Sequence, residues 1–293
     1  MNFDFIYRGE TKDIDDDIRA STNGSFIRLS NGFTHYELCG PDNGQPVVLV
    51  HGFSVPYFIF DPTFDFLISE GFRALRYDLF GRGFSERPHV KYKIDLFVGQ
   101  LKELLDALEF KQVNLIGLSM GGAIASTFTV NFPERVRTLI LIDPVGIRHM
   151  PFSWTYKAAI LPGVSELILG MVSTDRMVQS IASGFFNAEH VKMFQNQCRA
   201  QMQYRGFKRA ILSTIRNQTV DGFPKIYQRL GKLGTPVLLI WGRNDQTLPL
   251  EQSRDILSAV PRTEFHIIEN CGHIPHYEKP EEVNSILADF LNK

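Results

Sequence analysis

The chain has 293 residues, 44% of them hydrophobic and 22% charged, which allows one large or two medium domains and excludes intrinsic disorder. Lys and Arg number 31 and Asp and Glu 32, so the net charge of −1 argues against a dedicated nucleic-acid binder. Cys39, Cys198 and Cys271 lie far apart and give neither a disulfide framework nor a metal-ligand spacing, so a reducing compartment is the default.

Residues 1–24 are acidic, with Asp15, Asp16 and Asp17 in a row, and read as a solvated arm. The arm shows no basic stretch followed by an apolar run, so no signal peptide is expected and a cytoplasmic location is. Phe26–Ser30 and Phe33–Leu38 flank Asn31-Gly32 with alternating apolar positions, predicting a hairpin with a type I′ turn. Val47–Val50 is then a short, fully apolar run of the kind a buried parallel strand shows. Similar runs recur at Arg73–Tyr77, Val113–Ile116, Thr138–Ile142, Val237–Ile240 and Glu264–Ile268. Helical patterns lie between them at Leu96–Leu108, Gly121–Phe132, Glu251–Val260 and Glu281–Leu291. This alternation predicts an α/β fold with a mostly parallel sheet, built from residues 25–145 and 231–293. Residues 146–230 break the rhythm, and a helical insertion is expected there. The longest apolar stretch, near Ala158–Val172, is interrupted by Pro162, Gly163, Ser165 and Glu166 and is too short to span a bilayer. An insertion after a parallel strand sits over the C-terminal sheet edge, where open α/β sheets place ligands, which makes it a candidate lid.

Gly117-Leu118-Ser119-Met120-Gly121 follows one such strand and opens a helix, the context a G-x-S-x-G nucleophile turn requires. A serine hydroxyl needs a base. His273, in Glu269-Asn270-Cys271-Gly272-His273, follows the last predicted strand and reaches the same sheet edge, with His276 in reserve. No role is expected for His35, His89, His149, His190 or His266. Asp245, after Val237–Ile240, is the acid expected to orient the base, in the chain order Ser, Asp, His. Asp143 also ends a strand and competes with it, its other reading being a turn residue before Pro144. Gly52 permits an unusual backbone angle that aims the Phe53 N–H at Ser119, and the Met120 N–H supplies the second oxyanion donor. His51 is expected to fix its loop, and Asp78 to hold the loop that runs to Ser85 by side-chain hydrogen bonds.

These elements, together with Pro275, Glu278 and Pro280, resemble the α/β-hydrolase superfamily in its lidded branch of esterases and lipases. The resemblance implies an eight-stranded sheet, a helical cap and serine chemistry that needs no metal or organic cofactor. Ser119 sets the chain apart from the dehalogenases and epoxide hydrolases of the superfamily, which carry Asp there. The C–C hydrolases of ring-fission products have Asn before the serine and Trp shortly after the histidine, whereas this chain has Leu118 and Ile274-Pro275-His276-Tyr277. The expected reaction is therefore hydrolysis of a small carboxylic ester with a hydrophobic acyl group. The alternatives are C–C hydrolysis, perhydrolysis through the same triad, and a non-enzymatic ligand-binding role.

The span Gly146–Leu230 holds eleven bases and four acids, a charge of +7 in a chain of −1. Its charges are expected mainly to dock it on an acidic core domain. The alternative is weak contact with an anionic membrane surface through Arg199, Arg205, Lys208, Arg209 and Arg216. Its apolar residues, among them Phe152, Trp154, Tyr156, Ile160, Leu161, Val164, Leu167, Ile168, Leu169, Met171, Val172, Phe185 and Phe186, are expected to form lid core and part of an acyl pocket.

Overall fold

The expected strands assemble into one eight-stranded sheet in a computed structural model that describes residues 7–148, 161, 163–182, 184–186 and 191–293. They are β1 (Ser25–Leu29), β2 (Gly32–Cys39), β3 (Pro46–Val50), β4 (Arg73–Tyr77), β5 (Val113–Leu118), β6 (Val136–Ile142), β7 (Val237–Gly242) and β8 (Glu264–Ile268). Their order across the sheet is β1-β2-β4-β3-β5-β6-β7-β8. The β1–β2 and β2–β4 pairs are antiparallel and the rest parallel. Helices α1 (Asp16–Ser21), α2 (Asp61–Ser69), α3 (Ile94–Ala107) and α4 (Met120–Asn131) precede the insertion. Within it run α5 (Val164–Met171), α6 (Thr174–Ala182), α7 (Val191–Gln201), α8 (Phe207–Arg216) and α9 (Pro224–Leu230). Helices α10 (Ser253–Ala259), α11 (Pro275–Glu278) and α12 (Pro280–Leu291) complete the described set.

The continuous apolar runs follow from burial on both faces, since successive side chains of a strand point to opposite sides. Val48, Val50, Leu115, Leu139, Leu239 and Trp241 pack with α3, α4, α9 and α10 on one side. Val47, Leu49, Ile116, Ile140, Leu238 and Ile240 pack with α2 and α12 on the other. Helix α9 lies inside the span expected for the insertion, yet its Tyr227 and Leu230 are buried in the first of these clusters.

Three expectations need correction. The hairpin turn is Ser30-Asn31, because Gly32 already pairs with Leu29, and neither turn residue has the positive φ that type I′ requires. The arm is not wholly solvated: Tyr7 and Glu10 are buried. Both Glu10 carboxylate oxygens accept N–H groups at the start of α8, from Gly206 (2.7 Å) and Lys208 (2.5 Å). A helix start leaves those donors without intrahelical partners, and an acid there also meets the positive end of the helix dipole. The apolar residues expected as lid core are in part exposed, as Leu161, Val164, Leu167, Ile168, Met171 and Phe186 show. Phe152, Trp154, Tyr156 and Ile160, like His149 and His190, lie outside the described residues.

The five bases singled out in the insertion are held by neighbours. Arg199 pairs with Asp175 (2.9 Å), Arg216 with Glu166 (2.6 Å) and Arg205 with Asp13. Lys208 is buried and donates to the carbonyls of Arg8 and Val172, and Arg209 donates to those of Arg87 and Pro88. Among the described residues, no helix is long and apolar enough to cross a membrane.

Candidate active site

Strand β5 delivers Ser119 directly into α4, and the turn is fixed from three sides. Ser119 N–H donates to Ile142 C=O (2.9 Å), while its own C=O accepts from Gly122 N–H (2.9 Å) and Val145 N–H (3.0 Å). The serine sits at φ 53° and ψ −119°, a conformation that costs a non-glycine residue about 1–3 kcal/mol and persists only when neighbours impose it. The flanking glycines are the space for that turn. A Cβ on Gly117 would meet the carbonyl of Gly121, and one on Gly121 would run into the carbonyl of Val50.

The loop after β8 brings His273 to the same edge, and the loop after β7 brings Asp245. His273 Nδ1 lies 2.7 Å from Asp245 Oδ2. The other oxygen, Oδ1, accepts from Thr247 N–H (2.7 Å) and Leu248 N–H (2.9 Å), so the carboxylate is fixed in orientation. Ser119 and His273 line one cavity of about 440 Å³. Its walls include Phe53, Val55, Ile59 and Leu118 from the core and Val172, Met177, Ile181 and Ile211 from the insertion. Arg176 also lines it and is, with His273, the basic side chain of an otherwise mainly apolar wall among the described residues. Among the described residues of the expected apolar set, Val172 is the one in this lining, and Met177, Ile181 and Ile211 join it from outside that set.

The loop after β3 lies against Ser119. Gly52 has no positive φ, so the expected unusual backbone angle is absent. Glycine serves instead by proximity: a Cβ there would sit 3.3 Å from Ser119 Cβ. His51 fixes this loop as expected, donating from Nδ1 to Gly52 C=O (2.9 Å) and accepting Leu79 N–H at Nε2 (2.9 Å). Burial lowers its pKa to about 4, which keeps it neutral and suits that pair of bonds. Arg82, fully buried, donates to Phe53 C=O (2.7 Å), Phe80 C=O (3.2 Å) and Thr214 Oγ1 in α8 (2.9 Å). It joins the loop beside the serine to the insertion. Met120 is the first residue of α4, where a helix leaves its N–H without an intrahelical partner.

Asp78 holds its loop as expected, accepting from Tyr57 N–H (3.0 Å) and Phe84 N–H (2.9 Å). Its further partner was not foreseen. His35, assigned no role from sequence, is buried with Nδ1 2.8 Å from Asp78 Oδ2. Burial by itself would raise the Asp78 pKa, but the His35 hydrogen bond and charge hold it below the usual range. His276, the reserve base, is buried against Phe60 and outside the cavity lining, with its pKa lowered to about 3 by burial.

Glu278 is the other residue whose role the sequence left open. Its Oε1 accepts Gly272 N–H (2.9 Å) and its Oε2 accepts Phe186 N–H of the insertion (2.8 Å). His273 N–H in turn donates to Gly184 C=O (2.9 Å). The histidine loop is therefore tied to the insertion by two bonds. Asp143, the competing acid, is fully buried beside Asp245, and one donor atom each from Asp143, Asp245 and His273 lie within 4.8 Å of one another. That spacing would also suit a cation, but the His273–Asp245 bond already engages two of the three residues.

A serine on a strained strand-to-helix turn at a parallel sheet edge thus shares one cavity with a His–Asp pair. The chain belongs to the alpha/beta hydrolase family, whose model matches residues 47–286. It is 29% identical over 264 residues to the 2-hydroxy-6-oxo-2,4-heptadienoate hydrolase of Pseudomonas putida, covering 85% of this chain and 89% of that protein. A solved meta-cleavage product hydrolase from Pseudomonas fluorescens IP01 superposes with a TM-score of 0.77 at 25% identity, covering 92% of this chain and 97% of that one. An esterase from Exiguobacterium antarcticum gives the same TM-score of 0.77 at 22% identity, over 92% of this chain and 100% of that one, a likeness of fold alone.

Proposed function

We propose that the protein is a serine hydrolase that cleaves carboxylic esters with a hydrophobic acyl group. The observation that carries this reading is the shared cavity: Ser119 and His273 open onto one mainly apolar space, with Asp245 bonded to the far side of the imidazole. In the proposed reaction Ser119 Oγ attacks the ester carbonyl while His273 Nε2 takes its proton. Asp245 holds the ring and stabilises the imidazolium. The N–H groups of Phe53 and Met120 receive the oxyanion, each such donor being worth on the order of 10²–10³ in rate. His273 then protonates the departing alcohol. Water, deprotonated by His273, attacks the acyl-enzyme and releases the acid and the free serine.

A second reading, C–C hydrolysis of ring-fission products, is supported by the names of the curated relatives and by Arg176, a cation in the lining able to meet a substrate carboxylate. The absence of Asn at position 118 and of Trp after His273 counts against it. A panel of chromogenic esters of increasing acyl length, run beside a ring-fission dienoate, separates the two. The ester reading expects a burst stoichiometric with enzyme and its loss in both Ser119→Ala and His273→Ala, to a similar degree because the residues act as a unit. Rapid cleavage of the dienoate with esters left untouched would overturn it. Reaction of neither substrate class with Ser119 would point to a ligand-binding protein.

A further inference from the structure

Asp143 is unused by this mechanism, yet every feature of its setting ties it to the triad. Strand β6 ends at Ile142, and Asp143 follows with φ 40°, a left-handed conformation uncommon for a non-glycine residue. Its N–H donates to Ile240 C=O (3.0 Å) and its Oδ1 accepts Gly242 N–H (2.9 Å), so backbone and side chain clamp β6 to β7. These bonds fix the carboxyl group under the loop that carries Asp245. The remaining oxygen, Oδ2, is buried and meets no hydrogen-bond donor among the described residues. The titratable and charged groups facing Asp143 are Asp245 after β7, Cys271 and His273 after β8, and Glu278 in α11. Two of these are carboxyl groups. A carboxylate with no donor on one oxygen, against a second carboxylate, is an arrangement that buried acids resolve by sharing a proton.

We propose that Asp143 is a second, protonated acid of the site, whose Oδ2–H donates to the Asp245 carboxylate and makes it a positioning residue for Asp245 and the reserve partner of His273. The added proton supplies the missing donor and leaves one negative charge for the pair. Asp245 Oδ1 already accepts two N–H groups and Oδ2 one imidazole N–H, so an additional donor immobilises the acid that holds His273. Burial and the Asp245 charge both push the Asp143 pKa well above the usual carboxyl range, in line with this assignment. Because Asp143 lies within the same 4.8 Å group as the His273 ring nitrogen, loss of the charge at position 245 leaves it placed to ionise and take over.

The inference extends the serine-triad reading, but its first test needs no substrate, so the two fail separately. An infrared difference spectrum, native minus Asp143→Asn, is expected to show a protonated carboxyl band at pH 7. Its absence would mean an ionised Asp143 and would overturn the proposal. The second test is the acid limb of the kcat/KM profile. Replacing a neutral acid by a neutral amide leaves that limb in place, whereas removing a nearby negative charge moves it down by about one unit or more; such a move would also overturn the proposal. In a third test, Asp143→Ala is expected to lower kcat about tenfold, the loss of one hydrogen bond to a charged group, with Asn at 143 recovering most of it. Equal loss in Ala and Asn would refute the donor role. Finally, Asp245→Asn should keep a residual activity at pH 8 that Asp143→Asn in the same background largely removes. Equal residual activity in the single and double variants would exclude Asp143 as the reserve acid.

Discussion

Replacing Glu278 with alanine tests how far the histidine loop depends on the insertion. The side chain is buried and its two oxygens satisfy Gly272 N–H and Phe186 N–H. Leaving a fully buried donor unpaired costs about 1–3 kcal/mol, and the Phe186 N–H is only part-buried, so about 2–6 kcal/mol is an upper range for the pair. Removing a buried carboxylate that faces Asp143 returns part of this, which narrows the expectation to about 2–4 kcal/mol. For a chain of this size that corresponds to a fall in Tm of roughly 4–16 °C. Gly272 is the residue before His273, so activity should fall as well. A small displacement of a reacting group costs up to about 10²-fold, and kcat is expected to drop about 10- to 100-fold with KM little changed. Glu278→Gln keeps one acceptor and turns an amide N–H2 toward the other donor, so about half of the stability loss is expected. Melting followed by circular dichroism and initial rates on a chromogenic ester are the two assays. A Glu278→Ala chain that melts with the native protein and turns over at the native rate would refute the argument.

The His35–Asp78 pair predicts a pH-dependent stability. Burial lowers the His35 pKa, but the Asp78 hydrogen bond and charge outweigh it and leave the value raised, so its contribution is complete below the unfolded value of 6.5 and is lost as pH rises through the folded one. His35→Gln should therefore shift the urea midpoint more at pH 5.5 than at pH 8.5, and the opposite order would count against the pair. For acyl length, each methylene buried in the cavity contributes about 0.8 kcal/mol, so kcat/KM should rise roughly fourfold per added carbon until the space is filled. A flat or falling series from acetate upward would contradict an apolar acyl site. Since Arg199, Arg205 and Arg216 are paired with acids and Lys208 and Arg209 are spent on carbonyls, co-sedimentation should show no preference for anionic over zwitterionic vesicles. Salt-sensitive adsorption to anionic vesicles alone would restore the membrane reading.

What was legible in the sequence is what local chemistry dictates. The central strands are buried on both faces, and double burial writes itself as unbroken apolar runs such as Val47–Val50 and Val237–Ile240. Ser119 was legible because a turn this tight excludes side chains on both sides, which forces glycine at 117 and 121. His273 and Asp245 followed from their positions after strands, since parallel strands deliver their following loops to one edge. Partnerships across long stretches of chain left no local pattern. His35 meets Asp78, and Glu10 meets residues 206 and 208, through contacts that no periodicity announces. Arg82 read as a loop residue, because two of its three acceptors, Phe53 C=O and Thr214 Oγ1, lie 29 and 132 residues away in the chain. The hairpin was found but its turn was misplaced by one residue, since Asn-Gly favours a type I′ turn while the pairing of Leu29 with Gly32 selects Ser30-Asn31.

These long-range bonds bear on how the insertion relates to the site. Gly184 holds His273 and Phe186 holds Glu278, so the insertion braces the proposed base. Through Thr214 it also reaches Arg82 and the carbonyl of Phe53, on the side of the proposed oxyanion donors. The arm adds a third tie, because Glu10 occupies the start of the same helix α8 that carries Thr214. An insertion that swung away as a rigid body would break the bonds at Gly184, Phe186 and Thr214 together, whereas the His273–Asp245 bond and the N–H bonds to Asp245 Oδ1 lie within the core and would remain. Such opening would loosen the braces around the proposed site and leave its His–Asp pair in place.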